Sequence, residues 1–343
     1  MPIPTPPPPP APDALHPYAG LTPDTVLDAL DAVGLRGDGR MIQLNSYENR
    51  VFQVFLEEGA PVVAKFYRPG RWSEAQLDEE HRFALELAED EVPVVAPLPL
   101  VGPASGSHGT LGRHDGFHFA VYPRRGGRAP ELEDPATLEW IGRFLGRIHT
   151  IGAREGFVAR PRLDLESFGL ASRDWLLQHD MVPPEVLPAW RDAVDRALES
   201  IDERFREAGE VPHLRLHGDC HLGNILWTEQ GPHFVDLDDA RMGPAVQDLW
   251  MLLSGNAEAM ATQLFFVLKG YRNFRHFDPR ELQLVEALRT LRLLHHSAWL
   301  ARRWEDPAFP LAFPWFGSSG YWSEQVVRLR EQLQAMQEPP LHL

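Results

Sequence analysis

The stretch at residues 214–239, LRLHGDCHLGNILWTEQGPHFVDLDD, fixes the reading of the whole chain. Residues 214–216 alternate like a short strand and stop at His217 and Gly218. Asp219 then precedes Asn224 by five positions, the D-x-x-x-x-N spacing of a phosphoryl-transfer loop. The chemistry requires both residues. An acceptor hydroxyl needs a carboxylate within hydrogen-bond reach to orient it and take its proton, while a nearby amide oxygen faces the other way to hold Mg²⁺. Residues 225–227 and 233–237 read as the strands of a hairpin around turn residues 228–231. The return strand brings Asp236 back beside Asn224 as a second hard oxygen ligand. Asp238 and Asp239 follow at once, placed to bind a second ion or to face solvent. HGDCH also fits H-x-D-x-H, a ligand cluster of transition-metal hydrolases. That reading needs further ligands, and no second His-Asp cluster stands at motif spacing.

A phosphoryl-transfer site demands an upstream lysine, and residues 61–67, PVVAKFY, supply Lys65 at the end of an apolar strand. A charge there needs partners, which nucleotide phosphates and a helix glutamate provide. The alternative, a surface lysine on an edge strand, loses its appeal once Asp219 lies downstream. The next helix spans about 73–88, with Ser73 as N-cap and Leu77, Phe83, Ala84 and Leu87 apolar. Glu80 is the preferred partner, because Phe83, Ala84 and Leu87 at offsets of three, four and seven put it on the core side. Glu79 stays open as the alternative. Residues 41–54, MIQLNSYENRVFQV, precede the lysine strand as one β-rich segment, joined to it by a Glu-Glu-Gly turn. Residues 44–54 contain no glycine, so Asn45, Ser46 and Asn49 must replace the usual glycine-rich phosphate loop.

Outward from these motifs, Thr22 caps a helix opened by Pro23 and stopped at Gly34. Residues 92–100 and 116–122 read as strands, and the connector PRRGG at 123–127 as the hinge where backbone groups meet an adenine edge. From residue 135 the pattern turns helical, with Leu138, Ile141, Leu145 and Ile148 in phase and Gly152 as the stop. Further helices are expected over 184–208, 244–253, 257–271, 279–304 and 321–337. Asp248 either accepts bonds from the catalytic-loop backbone or lies on a wet helix face. The tryptophans at 299, 304, 315 and 322 are read as core or rim packing in preference to an acceptor groove. Cys220 is read as a small buried apolar side chain in preference to a redox switch.

With 343 residues the chain is long enough for two domains, and 43% hydrophobic content is ordinary for a globular protein. A formal net charge of −16 argues against nucleic-acid and anionic-membrane partners, which need clustered Lys and Arg. The single cysteine fits a reducing compartment, and no apolar run is long enough to span a bilayer, so a cytoplasmic protein is expected. Residues 1–12, MPIPTPPPPPAP, lack the charged start and apolar core of a signal peptide and read as a solvated polyproline tail. The expected division is a disordered tail at 1–20, a nucleotide-binding lobe at 21–126 and a helical catalytic lobe at 127–343.

The ordered strings LNSYENRVFQV, VVAKFYRPGRW, EEHRFALEL, LHGDCHLGNILW, FVDLDDARMGPAVQDLWMLL and WLARRWEDPAFP resemble the stress response kinase A (YihE/RdoA) family, within the aminoglycoside phosphotransferase and choline kinase group. The likeness runs from about residue 21 to the C-terminus. It implies an α+β, bilobal protein-kinase-like fold with a β-rich N-lobe and a mainly helical C-lobe. It also implies ATP-dependent Ser/Thr protein phosphorylation, including autophosphorylation, in stress survival. Onto this chain it carries Asp219 as proton acceptor, Asn224 and Asp236 as Mg²⁺ ligands and Ser46 in the ATP loop. ATP and a protein bearing a Ser or Thr acceptor are the expected partners, and a monomer is expected. The residues alone leave two alternatives open: a kinase of small cationic alcohols or aminoglycosides, and a non-catalytic nucleotide sensor. The completeness of Lys65, Asp219, Asn224 and Asp236 weighs against the sensor.

Overall fold

The computed structural model describes residues 16–102 and 109–342. Helix α1 (Pro23–Asp31) is capped by Thr22, whose hydroxyl accepts from the Thr25 N–H. Strands β1 (Gly37–Leu44), β2 (Arg50–Leu56) and β3 (Val62–Phe66) form an antiparallel run. After helix α2 (Glu74–Glu89), strands β4 (Gly112–His114) and β5 (Phe117–Pro123) complete a five-stranded sheet in the order β1-β2-β3-β5-β4. The period of two in β3 sends Ala64 and Phe66 into a core with α1 and Tyr18, while Val63 and Lys65 face the opposite side.

The rest is mainly helical. Helix α3 (Pro135–Gly152) is followed by a π-helical turn at Leu165–Leu170, then α4 (Ala171–Gln178) and α5 (Leu187–Ala208). Four short strands come next: β6 (His213–Leu216), β7 (Ile225–Thr228), β8 (Gly231–Phe234) and β9 (Arg241–Pro244). They pair as β6 with β9 and β7 with β8. Helices α6 (Val246–Trp250), α7 (Ala257–Tyr271), α8 (Val285–Arg302), α9 (Ala308–Ala312) and α10 (Ser319–Gln337) finish the chain. Helices α3 and α7 touch backbone to backbone. A Cβ on Gly142 would lie 2.0 Å from the Val267 carbonyl oxygen, and one on Gly270 1.9 Å from that of Glu139. Only glycine permits that approach.

The α+β architecture is the expected one, with local corrections. Residues 41–54 are two strands broken by the loop at 45–49, not one segment. Residues 92–100 do not form a strand of the sheet. Prolines at 93, 97 and 99 remove the donors a ladder needs, and the segment pairs instead at Val94 with Phe234 of β8. The return strand of the hairpin ends at Phe234, before Val235 and Asp236. The helix expected over 279–304 opens as a 3-10 turn at Pro279–Leu284, and α6 is shorter than the expected 244–253, since β9 takes Pro244 and the helix ends at Trp250. Residues 1–15 of the proline-rich tail lie outside the described residues. Tyr18, assigned with that tail, is buried, and its hydroxyl donates to the Glu48 carbonyl at 2.9 Å. Among the described residues no helix is long and apolar enough to cross a membrane.

Candidate active site

A cavity of about 840 Å³ lies between the free face of the sheet and the helical part. Lys65 enters it from β3, and α2, capped by Ser73 and Gln76, brings a carboxylate behind it. The Lys65 Nζ stands 2.8 Å from Asp236 Oδ1, 3.4 Å from Asp238 Oδ1 and 4.0 Å from Glu80 Oε1. Burial acts to lower the lysine's pKa, but Asp236, Asp238 and Glu80 outweigh it and hold the ammonium well above its ordinary range. Glu80, buried beside other carboxylates, is pushed up to about 7 by burial despite the pull of Lys65. Its neighbour Glu79 points elsewhere. Its carboxylate accepts the backbone N–H groups of Val158 at 2.7 Å, Ala159 at 3.0 Å and Arg160 at 2.9 Å. The geometry thus pairs Lys65 with Glu80 and gives Glu79 a loop to hold.

The catalytic-loop segment is built from beneath by Asp248. This fully buried carboxylate accepts the His217 and Gly218 backbone N–H groups, each at 2.9 Å, and stands 3.0 Å from His149 Nε2. Asp248 therefore supports the loop and does not lie on a wet face. Gly218 has φ +85°, and a Cβ there would lie 2.1 Å from the Asp239 carbonyl oxygen. Side chain and backbone cross-links then set the ends of the loop. The Asn224 Nδ2 donates to the Asp219 carbonyl at 2.9 Å, which turns its amide oxygen away from that carbonyl, and the Val235 N–H donates to the Asn224 carbonyl at 3.0 Å. Asp236 follows in the left-handed region, φ 62°, a conformation uncommon outside glycine that marks strained, functional positions. Its carboxylate is half exposed. The Asn224 amide and the Asp236 carboxylate are both hard oxygen donors, of the kind that could hold Mg²⁺.

Asp219 itself is met by a guanidinium and an imidazole. Arg292 Nη1 of α8 bonds its Oδ1, and His221 Nε2 lies 3.4 Å from its Oδ2. Burial alone would raise the carboxyl's pKa, but His221 and Arg292 prevail and keep it below the usual carboxylate range. The H-x-D-x-H reading fails on geometry, because His217 spends its Nε2 on the Val235 carbonyl at 2.9 Å while His221 turns its Nδ1 to the Gly223 N–H. Cys220 is fully buried, and burial pushes its thiol well above the ordinary range. A thiol so placed lacks the thiolate character oxidation requires.

Asp238 is buried, whereas the Asp239 carboxylate is partly exposed. Arg71 bonds both, meeting Asp239 Oδ1 at 2.9 Å, and Arg241 reaches the same Oδ1 at 2.6 Å. Asn49, expected over the phosphates, is committed to the Asp238 carboxylate and the Arg68 N–H, both at 3.2 Å. Asn45 and Ser46 do line the cavity, as do Tyr122 near the end of β5 and Pro123 and Arg125 of the expected hinge. Arg128 pairs with Trp227 of β7, which anchors the far end of that connector. Of the tryptophans, Trp322 is core, while Trp299 lines the cavity beside Phe313.

Sequence reasoning missed four residues here: Glu48, Arg71, Arg160 and Arg292. Glu48 meets Arg68 Nε at 3.0 Å and Arg303 Nε at 2.7 Å, and accepts from Trp299. Arg68 continues to Asp306 at 2.5 Å. The loop at 45–49 is thereby tied to the end of α8 and the turn after it. Arg160 stands 3.6 Å from Glu80 Oε2. Only the unusual density of arginine in RPGRW hinted at any of this.

A strand lysine with a helix glutamate behind it, facing an Asp-Asn loop and a second aspartate across one cleft, defines a phosphotransferase. The pattern of the phosphotransferase enzyme family matches residues 41–285, and the chain belongs to that family. Stress response kinase A of Escherichia coli is 46% identical over 326 residues, covering 95% of this chain and 97% of that one. The serine/threonine protein kinase RdoA of Salmonella typhimurium is 44% identical over 331 residues, covering 96% and 98%. Among solved structures, the amicoumacin kinase hAmiN in complex with AMP-PNP, Ca²⁺ and amicoumacin shares the fold. It aligns with TM-score 0.70 and 17% identity over 93% of this chain and 94% of that one. The protein-kinase-like fold implied by the sequence is thus the fold of the molecule.

Proposed function

We propose that this protein is an ATP- and Mg²⁺-dependent serine/threonine protein kinase of bacterial stress response, able to autophosphorylate and acting as a monomer. The observation that carries the reading is the meeting of Lys65, Glu80, Asp219, Asn224 and Asp236 on one cavity. The near full-length identity to stress response kinases supports a protein acceptor. The division into lobes is placed at 126/127, just beyond the end of β5.

In this reading Lys65, steadied by Glu80, exchanges its contact with Asp236 for the α- and β-phosphates of ATP, and Ser46 donates to a phosphate oxygen from the loop above. Asn224 and Asp236 would hold Mg²⁺, which would supply positive charge against that developing on the phosphates. Asp219 orients the acceptor hydroxyl and takes its proton as the new O–P bond forms and the bond from the γ-phosphorus to the bridging oxygen breaks, with ADP leaving. Positioning and electrostatics supply most of the rate.

The test is transfer of labelled γ-phosphate from Mg-ATP by the purified protein, alone and with added peptides, beside Asp219→Asn. The variant is expected to bind nucleotide nearly as well while losing on the order of 10²- to 10⁴-fold in rate. Equal turnover in the variant would remove Asp219 from its role. ATP consumption only with added aminoglycosides or amino alcohols would redirect the reading to a small-molecule kinase. Nucleotide binding with neither signal would redirect it to a sensor.

A further inference from the structure

Both oxygens of the Asp219 carboxylate have a partner: the Arg292 guanidinium on Oδ1 and the His221 imidazole, 3.4 Å away, on Oδ2. Arg292 is not sealed in place. Its side chain is 41% exposed, against 22% for Asp219. It opens onto the cavity in one stripe of α8 with His295, His296 and Trp299, at offsets of three, four and seven. The acids deeper in the cleft are already engaged. Asp238 and Asp239 are met by Arg71, Glu48 by Arg68 and Arg303, and Asp236, once Lys65 turns to the phosphates, is the carboxylate assigned to Mg²⁺ in the reading above. No acid in this set is left to attract a cationic acceptor.

Resting on the protein-kinase reading above, we propose that Arg292 is a specificity residue that selects acceptor segments carrying a carboxylate close to the Ser or Thr hydroxyl, so that the preferred substrate is an acidic peptide. For Asp219 to take the acceptor hydroxyl, Arg292 must give up a charge-assisted bond. A neutral segment leaves the guanidinium without a partner, and a basic one adds repulsion. An acidic segment offers Arg292 a replacement carboxylate, so that recognition of the flank and release of the base occur together. The His and Trp side chains of the same α8 stripe form the wall along which such a segment lies.

The experiment uses the full chain, Mg-ATP and three peptides of equal length with one serine and with acidic, uncharged or basic flanks. For the wild type, kcat/KM for the acidic peptide is expected to exceed that for the uncharged peptide on the order of 10-fold, the value of one hydrogen bond to a charged group, with the basic peptide lowest. Arg292→Gln should raise KM for the acidic peptide by a similar factor and remove the preference for the acidic over the uncharged peptide. Arg292→Glu should reverse the order. Thermal melting of both variants near the wild-type value checks that they fold. Equal use of all three peptides by the wild type, or an unchanged order in Arg292→Gln, overturns the inference and leaves the kinase reading standing. A wild type that binds ATP but labels no protein or peptide overturns both.

Discussion

Glu79 and Glu80 are adjacent on α2 yet hold different things. Glu79 accepts three backbone N–H groups of the segment at 158–160, whereas Glu80 faces Lys65 and Arg160. Glu79→Gln is therefore expected to lower stability by on the order of 1–3 kcal/mol with little change in KM for ATP, because backbone donors lose a charged acceptor. Glu80→Gln should do the reverse, raising KM for ATP about 10-fold with a smaller shift in melting temperature. The backbone bonds hold the Glu79 carboxyl below its ordinary pKa of 4.5 against the opposing effect of burial. Its contribution is thus present above pH 4.5 and lost as pH falls through the lowered folded value. Melting curves from pH 7 downward should show the Glu79→Gln deficit shrinking once the pH falls below 4.5, and a deficit that stays constant to the acid end of the series would disprove the assignment.

At the scale of elements, the catalytic loop hangs from a chain of buried carboxylates. Glu281, in the turn before α8, accepts the Val246 N–H at 2.8 Å where α6 begins, and α6 carries Asp248 to the loop backbone. Burial pushes Glu281 from 4.5 up to about 7 in the folded protein. A raised carboxyl pKa means the folded state holds its proton more tightly than the unfolded chain. The stability this gives is complete below 4.5 and disappears as pH rises through about 7. Between those limits the wild type is expected to lose on the order of 3 kcal/mol relative to Glu281→Gln. Urea melts of both proteins at half-unit steps from pH 4.5 to 8 measure this difference, and parallel curves would sink it.

The same scale shows what could be read from the sequence. Helix α2 was legible because its cap, its apolar face and the reach of Glu80 are all local, and the D-x-x-x-x-N loop because its chemistry is compressed into six residues. Strand β4 is three residues long and carries no alternation to detect. The proline-broken segment at 92–100 is extended without belonging to the sheet, a distinction made by its partner and not its composition. The cations facing the carboxylates were illegible for the same reason. Arg292 lies 73 residues from Asp219, and Arg71 lies 167 from Asp238. A surface arginine and a buried one look alike until the fold sets them against a charge.

Across the whole molecule, the cleft is closed by a buried network joining the nucleotide loop to the C-terminal part. Arg68 is buried against Glu48, Asp306 and the Phe309 ring. Asp306→Ala would leave that guanidinium without its second partner, a change that typically destabilises by about 3–5 kcal/mol. The variant is also expected to bind ATP more weakly, since Glu48 sits in the loop beside Ser46. Calorimetric unfolding and nucleotide titration check the two effects. Unchanged values in both would show the network to be incidental.

That network also orders events while the chain is being made. Arg68 leaves the ribosome 238 residues ahead of Asp306, which at roughly 5–20 residues per second is a wait of about 12–48 s. The five-stranded sheet can form early, from contacts close in sequence. The loop at 45–49 cannot reach its final state until Arg303 and Asp306 have emerged. Nascent chains are therefore expected to stay inert toward ATP until almost complete, and a product ending before Arg303 would carry Asp219 and Asp236 without the partners that hold the loop at 45–49.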